Sequence, residues 1–261
     1  MLSHEPRCIF SRNLLSDVMC QLRFPEILTI SQTPPAAFQE AIRDEFPIYS
    51  SRMEVPMPKI SGMPGNMRLE DQPSTVNYCF ASEDGTWRVN VTSKYISLAC
   101  NRYTSWEEFA SMLDKPLAAF IQIYRPAYFE RVGLRYLNFI SRKALGIPNV
   151  PYNQLIQPQY LGLLGDDDVN ENATTRATVD AELAIRGGCR AKIHAGPGLV
   201  KKPGQNDPEP KFILDLDLYM MGNVAVNLSA GCLQTLHAQA YSLFRGAITD
   251  TLHDAMEPKN L

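Results

Sequence analysis

Between Asp17 and Phe24 every second residue is apolar: Val18, Cys20, Leu22 and Phe24 fall on one side. That period of two predicts a strand with one buried face, ended by Pro25. Thr33-Pro34-Pro35 reads as an N-cap with proline in the first helical turn, opening a helix through Phe38, Ile42 and Phe46 that Pro47 stops. Residues 50–74 break the pattern, because Met53, Met57, Met63 and Met67 alternate with Pro56, Pro58, Pro64 and Pro73. An irregular connection, strand in part, is expected there. Strands follow at Thr75–Ala81, Thr86–Thr92 and Tyr95–Cys100, and Glu83-Asp84-Gly85 supplies a hairpin turn. Ser105-Trp106-Glu107-Glu108 forms a capping box ahead of a helix carrying Phe109, Met112, Leu113, Phe120 and Tyr124 inward, with a kink expected at Pro116. A strand over Arg131–Ser141 completes this half.

The second half has the same flavour. Strand-like runs occur at Gln159–Leu164, Ala173–Ile185, Cys189–Ala195 and Lys211–Met221, separated by acidic or proline-rich turns. A last helix is predicted from about Ser229 to Met256, with Leu233, Leu236, Ala240, Leu243, Ala247 and Leu252 near helical spacing, and Pro258 closing it. Each half therefore reads as strands followed by a long helix. The predicted architecture is one α+β domain over 1–261, a largely antiparallel sheet from two related halves (about 1–128 and 129–261) with the long helices on one side. The helices are too few for a doubly wound parallel sheet.

Composition changes this picture little. The 261 residues are 45% hydrophobic, enough for a sizeable core, and the formal charge of −3 argues against a dedicated nucleic-acid binder. The six cysteines, at 8, 20, 79, 100, 189 and 232, form no C-x-x-C pair and no zinc-type cluster with histidine, so reduced thiols are expected. The first residues carry His4, Glu5 and Arg7 without an apolar run behind them, and no stretch approaches the roughly 20 apolar residues of a membrane span. A cytoplasmic protein with no membrane contact is expected.

One set of residues is spread over most of the chain. It comprises Val18-x-Cys20-Gln21-Leu22-Arg23-Phe24-Pro25, Trp87-x-Val89, Tyr95-Ile96-Ser97-Leu98 and Tyr103-x-x-Trp106. It continues with Arg131-x-Gly133-Leu134-Arg135-Tyr136-x-Asn138, Phe212-Ile213-Leu214-Asp215-Leu216-Asp217 and Ala240-Tyr241-x-x-Phe244 through Ile248-Thr249. With these the chain resembles a sporadically distributed bacterial family of about this length that has no assigned biochemical function. The resemblance implies no mechanism. A sporadic distribution fits a role near mobile or defence-related gene clusters.

Among candidate chemistry, strand alternation puts Arg131 and Arg135 on one face, opposite Val132, Leu134, Tyr136 and Ile140. Asp215 and Asp217 share a face with Tyr219, opposite Phe212, Leu214, Leu216 and Leu218. If the two strands are neighbours, the four charges form either a cross-strand ion-pair ladder or a face where arginines hold a phosphate or carboxylate. Met53, Met57, Met63 and Met67 are candidates for partner contact, since methionine suits adaptable interfaces. Asp166-Asp167-Asp168 lacks the glycine and terminal glutamate of a calcium loop and reads as a solvated turn. Gly196-Pro197-Gly198 with Lys201 and Lys202 lacks the Gly-Lys-Ser/Thr of a phosphate cradle, leaving a hairpin connection over Gly196–Pro210. The four histidines form no H-E-x-x-H and there is no G-x-S-x-G elbow; His237 and His253 read as helix-surface or core-edge residues too far apart to cooperate. No catalytic residue, metal site or cofactor is assigned. The leading expectation is a non-enzymatic binding or regulatory protein with a protein partner or a homo-oligomeric state. A phosphorylated small molecule bound at the Arg/Asp face comes second, and nucleic acid third.

Overall fold

The structure is a computed structural model that describes residues 2–55, 59–61, 68–70, 74–200 and 207–260, with the backbone alone for 59–61, 68–70 and 260. In chain order the first half contains β1 (Cys8–Phe10), β2 (Leu15–Arg23), α1 (Leu28–Gln32), α2 (Ala36–Ile42), β3 (Ile48–Glu54), β4 (Lys59–Ser61), β5 (Arg68–Glu70), β6 (Thr75–Ala81), β7 (Trp87–Val91), β8 (Tyr95–Cys100) and α3 (Trp106–Tyr124). The second contains β9 (Phe129–Ile140), α4 (Pro158–Leu161), β10 (Val179–Ala184), β11 (Arg190–Leu199), β12 (Pro210–Val224), α5 (Ser229–Ala247), α6 (Asp250–Ala255) and β13 (Pro258–Asn260).

Nine strands form one antiparallel sheet in the order β10-β11-β12-β9-β2-β8-β7-β6-β3. The order reveals how the halves correspond. In the first, β2 is followed by an excursion to the far edge, and a meander returns through β3, β6 and β7 until β8 pairs with β2; α3 then follows. In the second, β9 is followed by an excursion, and β10, β11 and β12 return until β12 pairs with β9; α5 then follows. Strands β2 and β9 pair antiparallel at the centre, with Val18 opposite Tyr136 and Cys20 opposite Leu134.

Alternation decides which face is covered. Val18, Cys20 and Leu22 on β2, Val132, Leu134 and Ile140 on β9, and Phe212, Leu214, Leu216 and Leu218 on β12 are all buried. Helix α3 lays Phe109, Leu113, Leu117 and Phe120 on this side, and Phe120 packs 4.8 Å from Phe24. Each such side chain contributes about 1.5–3 kcal/mol of apolar burial. The termini close over α5: β1 pairs with β13, and buried Arg245 donates 2.6 Å hydrogen bonds to both Glu5 and Asp250.

Several local expectations are corrected. Gln159–Leu164 is not a strand; Pro158 opens the short helix α4 and a 3₁₀ turn follows over Gly162–Gly165. An apolar run this short has no period to tell helix from strand, and proline at the first helical position tips it. The last helix is two helices, because Ile248 is extended (φ −99°, ψ 153°) and Thr249 caps a new one by accepting from the Leu252 N–H. Apolar spacing continues across the break, so periodicity alone does not see it. Strand β10 begins at Val179, later than expected, and β11 runs on to Leu199. Helix α2 starts at Ala36 with Pro35 as its N-cap and no side-chain cap from Thr33, while Leu28–Gln32 forms a separate short helix. Helix α3 continues through Pro116. Ser105 accepts from the Glu108 N–H as the capping box requires, but the Glu108 carboxylate takes the Thr104 hydroxyl.

Candidate functional site

On the sheet face away from the long helices, β9 and β12 are neighbours and the four predicted charges meet. Arg131 donates to both carboxylate oxygens of Asp217 at 2.6 and 2.8 Å, and Arg135 grips Asp215 through Nε and a terminal nitrogen at 2.7 and 2.5 Å. Both arginines lean past their direct partners, since Arg131 stands opposite Met221 and Arg135 opposite Asp217. Arg131 crosses the backbone at Gly133, where a Cβ would lie 2.7 Å from the guanidinium carbon, and stacks over Tyr219 at 4.6 Å. The Arg-x-Gly spacing thus has a steric reason: glycine is the gap through which the guanidinium reaches its carboxylate. The ladder continues outward with Lys192–Glu182 and His194–Asp180. Asp17 lies nearby with one carboxylate oxygen buried and unpaired among the described residues; burial raises its pKa, opposed by Arg88 and Arg135. Each guanidinium is already bonded to a carboxylate, and carboxylates are abundant across this face.

Of the four methionines singled out, Met53 is on β3, while Met57, Met63 and Met67 lie outside the described residues, as do Lys201 and Lys202. Among the described residues β3 pairs only with β6 and forms one edge of the sheet. Four of its apolar side chains, counting the residue that follows it, stand in solvent: Ile48 is 49% exposed, Tyr49 44%, Met53 57% and Val55 77%. Tyr49 and Met53 stand opposite Phe80 and Val76, and the Tyr49 ring packs 5.6 Å from that of buried Phe80. The Asp166–Asp168 turn is closed by the Asp166 carboxylate accepting from the Asp168 N–H.

The third feature was hidden from sequence reasoning. Over the sheet centre, between the start of α3, the middle of α5 and the N-terminal strand, lies a partly enclosed cavity of about 100 Å³. Phe10, Tyr103, Trp106 and Phe244 contribute aromatic walls, and Leu216 and Met256 add apolar surface. His237 is 7% exposed rather than at the helix surface; its ring stacks on Trp106 at 4.6 Å and 8°. Arg7 can only donate, so its 2.7 Å contact makes Nε2 of His237 the acceptor and puts the ring proton on Nδ1. Nδ1–H then donates to the Tyr136 hydroxyl at 2.8 Å. Glu107 anchors Arg7 at the outer end. Burial, reinforced by the Arg7 charge, lowers the pKa of His237 to about 4, so the ring is neutral at pH 7; burial likewise raises those of Tyr103 and Tyr136. His253 sits apart on α6, its Nε2 3.9 Å from the thiol of Cys8. The six cysteines are free; Cys20, Cys100 and Cys189 are buried and the others half-buried.

No helix among the described residues is long and apolar enough to cross a membrane. No family model and no curated protein matches the chain.

Proposed function

We propose that this protein is a non-enzymatic binding module that engages a protein partner through the edge strand β3. The observation that carries the reading is the exposed apolar edge of Ile48, Tyr49, Met53 and Val55. An edge strand offers unpaired backbone N–H and C=O groups, and most proteins guard such an edge with lysine, proline or a bulge. Here the one basic residue on the strand, Arg52, is paired with Glu54. An extended partner segment added alongside gains backbone hydrogen bonds for affinity and side-chain contacts with Tyr49 and Met53 for specificity. The resemblance to a bacterial family of sporadic distribution directs the search for that partner to mobile or defence-related gene neighbourhoods.

The second reading, a phosphorylated small molecule held by Arg131 and Arg135, has less support, because an incoming anion has to displace Asp217 or Asp215. The test is affinity capture from source cells with the wild-type chain and with a Met53→Lys, Val55→Lys double variant. Both positions are exposed, so the variant is expected to fold normally. A polypeptide held by the wild type and lost from the variant supports the reading. Equal retention by both chains excludes β3 as the contact.

A further inference from the structure

The cavity over the sheet centre is lined by no residue of the β3 edge. Its size sets the first limit. A dry engineered cavity of about 150 Å³ accommodates benzene, so a partly open cavity of about 100 Å³ takes one small ring with its substituents toward the mouth. Its walls set the second limit. Aromatic faces and edges from Phe10, Tyr103, Trp106 and Phe244 favour a flat, polarizable guest through offset and edge-on packing.

Polar groups set the third. The charge of Arg7 is bonded to Glu107 and to Nε2 of His237, and His237 is the neutral link between Arg7 and Tyr136. The cavity therefore has no uncompensated charge to receive an ion. It does have two neutral groups with capacity to spare. Asn138 is 3% exposed and borders the cavity; its amide N–H donates to the Leu214 carbonyl at 3.1 Å, and its Oδ1 has no hydrogen bond among the described residues. The Tyr103 hydroxyl, on a side chain that borders the cavity, makes no hydrogen bond among the described residues, so its O–H proton is left to donate.

We propose that this cavity binds a small, neutral, planar aromatic molecule carrying a hydroxyl group, of the phenol type. The guest hydroxyl donates to Oδ1 of Asn138 and accepts from the Tyr103 hydroxyl, while its ring lies among the aromatic walls. The site joins the two halves of the fold: Tyr103 and Trp106 come from the first, Asn138 and His237 from the second. Junctions of this kind are where small-molecule sites commonly form.

The experiment is calorimetric titration of the purified full chain with phenol, toluene and benzoate. Phenol is expected to bind with Kd on the order of 0.1–1 mM, as a tightly held small ring does. Toluene, which lacks the hydroxyl, and benzoate, which brings a charge, are each expected to bind about tenfold more weakly or worse. Tyr103→Phe keeps the ring and removes the donor, so it should bring phenol close to toluene while leaving toluene unchanged. Asn138→Leu should do the same by removing the acceptor. Phenol binding no tighter than toluene on the wild-type chain, or no phenol binding in the millimolar range, overturns the proposal without any variant. Full phenol preference retained in Tyr103→Phe overturns the assigned geometry, whether or not Asn138→Leu folds.

Discussion

Replacing Gly133 by alanine isolates the reason for the Arg-x-Gly spacing. Gly133 has ordinary strand geometry, so alanine is allowed by the backbone. The obstacle is Arg131, whose guanidinium carbon lies 2.7 Å from where the new Cβ must go. The arginine has to swing out, losing the hydrogen bonds of one terminal nitrogen to both Asp217 oxygens and its stacking on Tyr219. The pair is only partly buried, with side chains 17% and 28% exposed, so its loss costs roughly 1 kcal/mol. Loss of the cation–π contact adds about 0.5–1 kcal/mol. Alanine restricts the unfolded chain and returns about 0.5–1 kcal/mol. The net is a destabilisation of about 1 kcal/mol, or roughly 2–4 °C in Tm for a chain of this size. The decisive measurement is the same substitution made in an Arg131→Ala background, followed by urea or thermal unfolding. With no guanidinium to displace, only the favourable term survives, and Gly133→Ala should stabilise. If it destabilises equally in both backgrounds, the gap argument is wrong and Gly133 is needed for some other reason.

Two further expectations follow from individual contacts. His237 holds its folded pKa near 4 against 6.5 for the free side chain, so the unfolded chain takes up a proton first as pH falls. Its contribution is fully present above pH 6.5 and is lost between about 6.5 and about 4, amounting to about 3 kcal/mol; His237→Phe should flatten that part of a stability-versus-pH curve, and an unchanged slope would refute the buried neutral ring. Ser105→Ala removes the cap of α3 and is expected to cost about 1 kcal/mol, read as a lower Tm; no change would mean that Thr104 and Glu108 hold the helix start by themselves.

The α+β class and the antiparallel arrangement were legible because strands such as β2 and β12 bury one face more deeply than the other. That condition writes a period of two into the sequence, as at Val18, Cys20 and Leu22 or Leu214, Leu216 and Leu218. The same alternation placed Arg131 with Arg135 and Asp215 with Asp217. Where elements are short the signal vanishes: Gln159–Leu164 carries a few apolar residues that serve a helical turn as well as a strand. The break at Ile248 and Thr249 was missed because the helices on either side bury apolar residues at compatible spacing.

The hairpin read at Glu83-Asp84-Gly85 does join β6 to β7, but pairing between strands distant in the chain was beyond the reach of the sequence. Local pattern says which face of a strand is polar, but which strands are neighbours depends on how the whole chain buries its apolar surface. Only the fold made β9 adjacent to β12 and turned four charges into two bonded pairs. Only the fold put β3 at an edge, exposing Met53 and Tyr49. The cavity is the clearest case. Arg7, Tyr103, Asn138 and His237 belong to four separate segments; Tyr103 and Asn138 stand in the patterns that carry the family resemblance, but nothing local brings the four together. A buried histidine and a surface histidine on an amphipathic helix look alike until the partner that desolvates it, here Trp106 from the other half, is known. The sequence determined the layers and the faces, since burial on one side imposes a local period; tertiary packing decided the neighbours, because contacts between distant segments leave no local period to read.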